Sequence, residues 1–138
     1  KRIRDLWKGK LVLKGAESIH DVEKAYQLGL DGVIISNHGG RQVDVGQATI
    51  DSLNSIVPLY KDKIKVMMDS GIRGGADVAR VMASGADFSF MGRTFMYGVS
   101  ALGKKGGNHT IAMLKTQLTQ VMEQMSCAEV NDLTKNLI

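Results

Sequence analysis

The sequence predicts an α/β fold, a parallel sheet made of βα units. Three observations predict it. Strand-like apolar runs alternate with helical stretches four times, and two helices then close the chain. Hydrophobic residues make up 43% of the 138 residues and charged residues 23%, a globular composition with material for one core. Each predicted strand also ends in polar or charged residues, the pattern of a fold that gathers its chemistry at one end of a sheet.

The elements follow in order. "KRIRDLWKGK" is the densest basic stretch and reads as a solvated lead-in. "KLVLKG" (10–15) is the first strand. Ser18, with Asp21 three residues on, caps a helix from about Ile19 to Leu28. Val22, Ala25 and Tyr26 mark its inward face, and Gly29 stops it. "DGVIIS" (31–36) is the second strand. After a glycine-rich loop, "ATIDSLNSIVPLY" spaces Ile50, Leu53, Ile56 and Val57 as a helix, with Pro58 near its end.

The pattern repeats with a strand over 63–69 and a helix over 75–85, whose Val78, Val81 and Met82 face inward and whose stop is Gly85. A strand over 86–92 and a helix over 93–103 come next. A longer amphipathic helix spans 108–125, with Ile111, Leu114, Leu118, Val121 and Met125 on its apolar face. Ser126 and Glu129 form an S-x-x-E box that opens a final short helix. From the pattern alone, a Rossmann-like sheet and a (β/α)8 barrel both stay open. No GxGxxG follows any strand, which counts against a dinucleotide-binding Rossmann domain.

Composition narrows the function. The net charge of +4 is mildly basic, and the basic residues are scattered without interleaved aromatics, so a nucleic-acid surface is not expected. Cys127 is the one cysteine, and no CxxC or HExxH spacing offers a metal site. A reduced, cytoplasmic setting is the expectation. No apolar run approaches a membrane span, and no signal-peptide core follows the basic start.

The polar strand ends carry the chemistry. Lys14 ends the first strand, and Ser36, Asn37 and His38 end the second, with Arg41 just beyond. Asp69, Ser70, Gly71 and Arg73 end the third, and Gly92 and Arg93 the fourth. Gly71, Gly74 and Gly75 around Arg73 predict bare backbone amides near a helix start, an anion site that Gly92-Arg93 repeats one strand later. Arg41 has the fork that can grip a carboxylate bidentately, and His38 is a candidate to take a proton from a neighbouring carbon or hydroxyl. "HGG" also occurs in esterase oxyanion loops, but no GxSxG supplies the nucleophile.

At "GVIISNHGGRQVD" the sequence resembles the FMN-dependent α-hydroxy acid dehydrogenase/oxidase family, of glycolate oxidase and L-lactate dehydrogenase type. "LVLKG", "VMMDSGIRGGADV" and "FSFMGR" extend the resemblance in order along almost the whole chain. "DSGIR" and the tryptophan before "LVLKG" lean towards the L-lactate dehydrogenase branch.

The resemblance implies FMN as cofactor and a small L-2-hydroxy acid as substrate. It implies His38 as the base and Arg41 as the carboxylate holder. It implies Lys14 at the pyrimidine edge of the flavin, Ser36 on the flavin and Asp69 on the ribityl chain. Gly71, Arg73, Gly92 and Arg93 would cradle the phosphate. Where the family often has a second arginine after "GIR" this chain has Gly74, and after "GR" it has Thr94 in place of proline.

The resemblance also implies that the chain, residues 1–138, is the C-terminal half of a (β/α)8 barrel, the last four βα units plus terminal helices. The alternatives are another FMN-binding barrel enzyme and a non-catalytic FMN- or phosphate-binding half-barrel. A half-barrel leaves the inner sheet face bare. Val12, Ile34 or Ile35, Met67 or Met68, and Phe88 or Phe90 would lie on it. The expectation is a homo-oligomer or a complementary N-terminal half, with the 108–125 helix plugging the face as the alternative. Peripheral membrane contact is expected only of a full-length enzyme.

Overall fold

The computed structural model describes residues 2–136. Four parallel strands form one sheet in the order β1-β2-β3-β4. They are β1 (Val12–Ala16), β2 (Gly32–Ile35), β3 (Lys65–Met68) and β4 (Phe88–Ser89). Helices α2 (Ile19–Gln27), α3 (Thr49–Tyr60) and α4 (Gly75–Ala83) connect them. Helices α5 (Arg93–Leu102) and α6 (Gly106–Gln124) follow β4, and a short α1 (Arg2–Leu6) precedes β1.

Local chemistry sets most boundaries. The Ser18 hydroxyl accepts the Asp21 N–H at 3.1 Å and opens α2, and Gly29 at φ 71° closes it. Gly85 closes α4 in the same left-handed way, at φ 92°. The fourth strand is shorter than the expected 86–92. Only Met67 and Met68 of β3 pair with it, and among the described residues its other edge has no neighbour to lengthen the ladder. The lead-in is not merely solvated. It forms α1, tied down by Arg4, which donates to the Gly9 carbonyl and pairs with Asp31 at 3.1 Å.

The core lies on one side of the sheet. Val33, Ile35, Val66 and Met68 point at the helices and are buried against Val22, Ala25, Leu53, Ile56 and Val81. Each such side chain contributes ~1.5–3 kcal/mol relative to exposure. Tyr26, expected on the inward face of α2, is 46% exposed instead, because Val22 and Ala25 already fill the contact with the sheet.

The opposite sheet face is bare. Register aligns Lys14, Ile34, Met67 and Phe88 across it. Phe88 is 56% exposed, and Val12 and Phe90 are 40% exposed. The two phenylalanine rings pack on each other, with centroids 4.9 Å apart.

The alternative, a plug, does not form, since α6 packs on α4 and α5 in the outer helix layer. Leu118, Val121, Met122 and Met125 join Ala79, Ala83, Cys127 and Leu133 in a second small core. Its seams need small residues: a Cβ at Gly98 would lie 2.1 Å from Thr110 Oγ1, and one at Gly75 would lie 2.3 Å from the Leu118 nitrogen. Ile111, expected on the apolar face, is 44% exposed. The Ser126 box does not form either. Ser126 is left-handed at φ 54°, and the last turn, Val130–Lys135, is a 3₁₀ helix whose Asp132 carboxylate accepts the Glu129 N–H.

Candidate functional site

The carboxyl ends of the strands open into a cleft of about 460 Å³. Lys14, His38, Arg41, Asp69, Gly71, Arg73, Gly92 and Arg93 line it, so eight of the nine residues to which the resemblance gives a role meet there. Ser36 is the ninth. It is fully buried just behind the wall, where its hydroxyl accepts from Lys14 Nζ at 2.8 Å and from the His38 N–H at 3.2 Å. Four cationic side chains and one carboxylate make the lining electropositive.

Lys14 stands on the bare sheet face one residue before a break in the β1–β2 register at Gly15. Its ammonium pairs with Asp69 Oδ2 at 2.8 Å. Burial pushes the Asp69 carboxyl up, but hydrogen bonds from Lys14, Ser36 and Ser70 outweigh it and hold the group below its ordinary value. Asp69 therefore stays ionised and keeps the lysine fixed at the strand ends.

The loop after β2 is held in a tight conformation. His38 is left-handed at φ 55°, and Gly39 and Gly40 follow at φ 69° and 73°. The imidazole lies against the first strand, with Cε1 3.0 Å from where a Cβ on Gly15 would sit. The lack of a side chain at Gly15 thus makes room for His38. The Gly39 N–H donates to Asn37 Oδ1 and to Ser70 Oγ, both at 3.0 Å, and its carbonyl accepts from the Arg93 guanidinium. Arg41 is exposed at the cleft's edge.

The third loop departs from expectation. The bare amides predicted around Gly74 and Gly75 are taken. Asp77 Oδ2 accepts from the Arg73 and Gly74 N–H groups at 3.0 and 3.2 Å, and Gln117 Oε1 accepts from Gly75 at 2.9 Å. Those amides cap α4 and bind it to α6. The donors facing the cleft are the Arg73 and Arg93 side chains and the start of α5, which has no side-chain cap. Cβ positions at Gly71 and Gly92 face open space. Thr94, the departure from proline, latches the two loops together: its hydroxyl donates to the Arg73 carbonyl at 3.2 Å.

Sequence reasoning missed Gly15 and, though it placed Ser70 at the end of the third strand, gave it no role. Gly15 has no periodic signal, since it reads as a strand stop. The signal for Ser70 was the side chain itself, a serine where a third-strand turn of this shape suits glycine.

A parallel α/β sheet with a cationic, glycine-lined cleft at its strand ends defines a class: proteins that bind anionic ligands at the carboxyl edge. The comparisons narrow it. The model of the FMN-dependent dehydrogenase family matches residues 1–138, and this chain belongs to that family. The L-lactate dehydrogenase of Actinobacillus pleuropneumoniae serotype 5b (strain L20) is 38% identical over 136 residues, covering 99% of this chain and 36% of the relative. That of Alcaligenes faecalis is 37% identical with the same coverage.

A soluble mutant of the membrane-associated (S)-mandelate dehydrogenase from Pseudomonas putida superimposes with a TM-score of 0.90 at 36% identity, over 96% of this chain and 37% of that one. A flavocytochrome b2 mutant with benzoylformate gives 0.92 at 33% identity, over 99% and 36%. The parallel sheet of βα units is thus shared with FMN-dependent hydroxy acid oxidoreductases of the (β/α)8-barrel class. The chain spans little more than a third of these proteins' length.

The family's cofactor is FMN, and the residues present suit it. The arginines and the uncapped start of α5 answer a phosphate, and the openings at Gly71 and Gly92 give a ligand close access to backbone. Lys14 and Asp69, with Ser36 behind them, offer a cation and carboxylate oxygens to a heterocycle and its polyol tail.

Proposed function

We propose that this chain is the C-terminal four βα units and terminal helices of an FMN-dependent oxidoreductase that converts a small L-2-hydroxy acid, of lactate or glycolate type, to the 2-oxo acid. The observation that carries the reading is the meeting of His38, Arg41, Lys14 and Arg93 in one electropositive cleft. FMN, when bound, would supply the acceptor for the two electrons and for one of the two protons that the hydroxy acid gives up. The chain's own residues do the rest.

Arg41 holds the substrate carboxylate through its planar fork, and the His38 imidazole nitrogen takes the other proton that the hydroxy acid gives up. Lys14, held by Asp69 and by the hydroxyl of the buried Ser36, presents fixed positive charge to the flavin, and Asp69 presents its remaining acceptor capacity to the ribityl chain; Ser36 acts from behind the wall rather than on the flavin itself. Gly71, Arg73, Gly92 and Arg93 receive the phosphate.

The bare sheet face belongs to the same reading. Several large apolar side chains left in water, each forgoing ~1.5–3 kcal/mol, consume much of the ~5–15 kcal/mol of a domain. The rest of the barrel covers them, or a second copy does where the chain stands alone. No helix among the described residues is long and apolar enough to cross a membrane, and the single buried Cys127 suits a reduced intracellular setting.

The test is anaerobic mixing of the FMN-loaded full-length protein with L-lactate, glycolate or (S)-mandelate. Bleaching of the flavin absorbance by one of them supports the reading and names the substrate. A flavin that stays oxidised with all three leaves a binding module in its place.

A further inference from the structure

Ser70 occupies a conformation that an L residue enters only at a cost. Its φ is 74°, next to Gly71 at 77°. A glycine there would be unstrained, so the side chain has to be worth keeping. The hydroxyl makes two hydrogen bonds. It donates to Asp69 Oδ1 at 2.7 Å and accepts from the Gly39 N–H at 3.0 Å. The bond from Gly39 joins the loop after β2 to the end of β3, and the bond to the neighbouring Asp69 fixes the hydroxyl that makes it.

His38, the residue before Gly39, is the second strained residue of the cleft. Its ring is pressed against Gly15 of β1, and the Gly39 carbonyl, in the following peptide, accepts from Arg93 of α5. Gly39 is therefore held at its N–H, in the peptide that follows His38, by Ser70 and Asn37, and at its carbonyl, in the next peptide, by Arg93. A relay runs from Lys14 through Asp69 and Ser70 to the Gly39 N–H.

We propose that Ser70 is a positioning residue: by clamping the Gly39 peptide to Asp69, it fixes the backbone that aims the His38 imidazole into the cleft. The proposal rests on the role assigned to His38 above. Asn37 Oδ1 lies on its own loop and cannot anchor that loop to β3, whereas Ser70 can. The hydroxyl needs Asp69 ionised to act in this sense, since it donates to the carboxylate and so presents its lone pairs to Gly39.

The test is Ser70→Gly, which keeps the backbone angle without strain and removes only the hydroxyl. Two measurements on the FMN-loaded full-length protein are read together. The first is hydrogen exchange of the Gly39 amide, expected to speed up at least about tenfold with loss of a protecting acceptor. The second is flavin reduction by the hydroxy acid, with kcat expected to fall ~10–100-fold while KM and FMN affinity change less than about threefold. A merely structural role would instead lower Tm and FMN affinity together. Unchanged Gly39 exchange overturns the clamp, and faster exchange with unchanged kcat overturns its bearing on His38. If the unaltered protein reduces no flavin, the assigned reaction fails, yet the exchange measurement still decides the clamp.

Discussion

The two ends of the sheet use the same pair, aspartate and lysine, in different ways. At the amino end, Asp31 accepts from Lys10 Nζ at 2.8 Å and from the Leu11 N–H at 2.9 Å. Asp87 repeats the arrangement with Lys65 Nζ at 2.7 Å and the Val66 N–H at 2.8 Å. In both, an aspartate leading into one strand caps an amide at the start of the preceding strand and pins a lysine beside it. At the carboxyl end, Asp69 has no backbone amide to cap. It binds Lys14 and Ser70, and it borders two residues in left-handed conformations. One end spends its charges on closing the ladder. The other keeps them facing a cleft.

The largest expected effect breaks the carboxyl end. In the full-length protein, His38→Ala should lower the rate of flavin reduction by ~10²–10⁴, the range of a lost general base, with FMN still bound. Stopped-flow absorbance reads both. Near-normal reduction would assign the base to another group.

Arg93→Ala comes next. FMN binding should weaken by ~1.5–3 kcal/mol as a charge-assisted bond is lost. The same change frees the Gly39 carbonyl, so reduction of the flavin that does bind should slow as well. Fluorescence titration with FMN separates the two losses, and an unaltered affinity removes Arg93 from the phosphate site. For Arg41→Lys the expected loss is in KM for the hydroxy acid, roughly tenfold, with FMN affinity intact, because an ammonium cannot make the bidentate contact. A drop confined to kcat would contradict the carboxylate role.

The smallest effect belongs to the amino end and sharpens the contrast. Hydrogen bonds from Lys10 and the Leu11 amide bring the Asp31 carboxyl down to about 2, despite some opposing desolvation. A carboxyl depressed on folding stabilises the native state above its ordinary unfolded value and loses that contribution as pH falls through the folded one. Asp31→Asn should therefore lower Tm at neutral pH. The gap from the unaltered protein should narrow between about pH 4 and pH 2. Flavin reduction by the variant should be unchanged. A loss of turnover at constant Tm would erase the division between the ends.

How much of this was legible varies with range. The alternation of strands and helices was readable because buried parallel strands and amphipathic helices leave periods along the chain. So were Lys14, His38, Arg41, Asp69 and Arg93, since βα units deliver every strand's carboxyl end to one edge. The Gly74 and Gly75 amides were misread as free, because Asp77 is local but Gln117 approaches from another helix, forty-two residues away. Tyr26 and Ile111 were placed inward by spacing, and packing turned them out.

The sequence by itself determined the parallel sheet, the family and the list of polar residues at the strand ends. Those are properties of local pattern and of motifs that survive reading in one dimension. Only the tertiary structure decided that Ser70 grips Gly39, that Gly15 makes room for the His38 ring, and that α6 joins the outer layer and leaves Phe88 and Phe90 bare. Each of these depends on a contact between segments far apart in the chain, where geometry at the scale of a hydrogen bond or a methyl group selects the outcome and no periodicity records it.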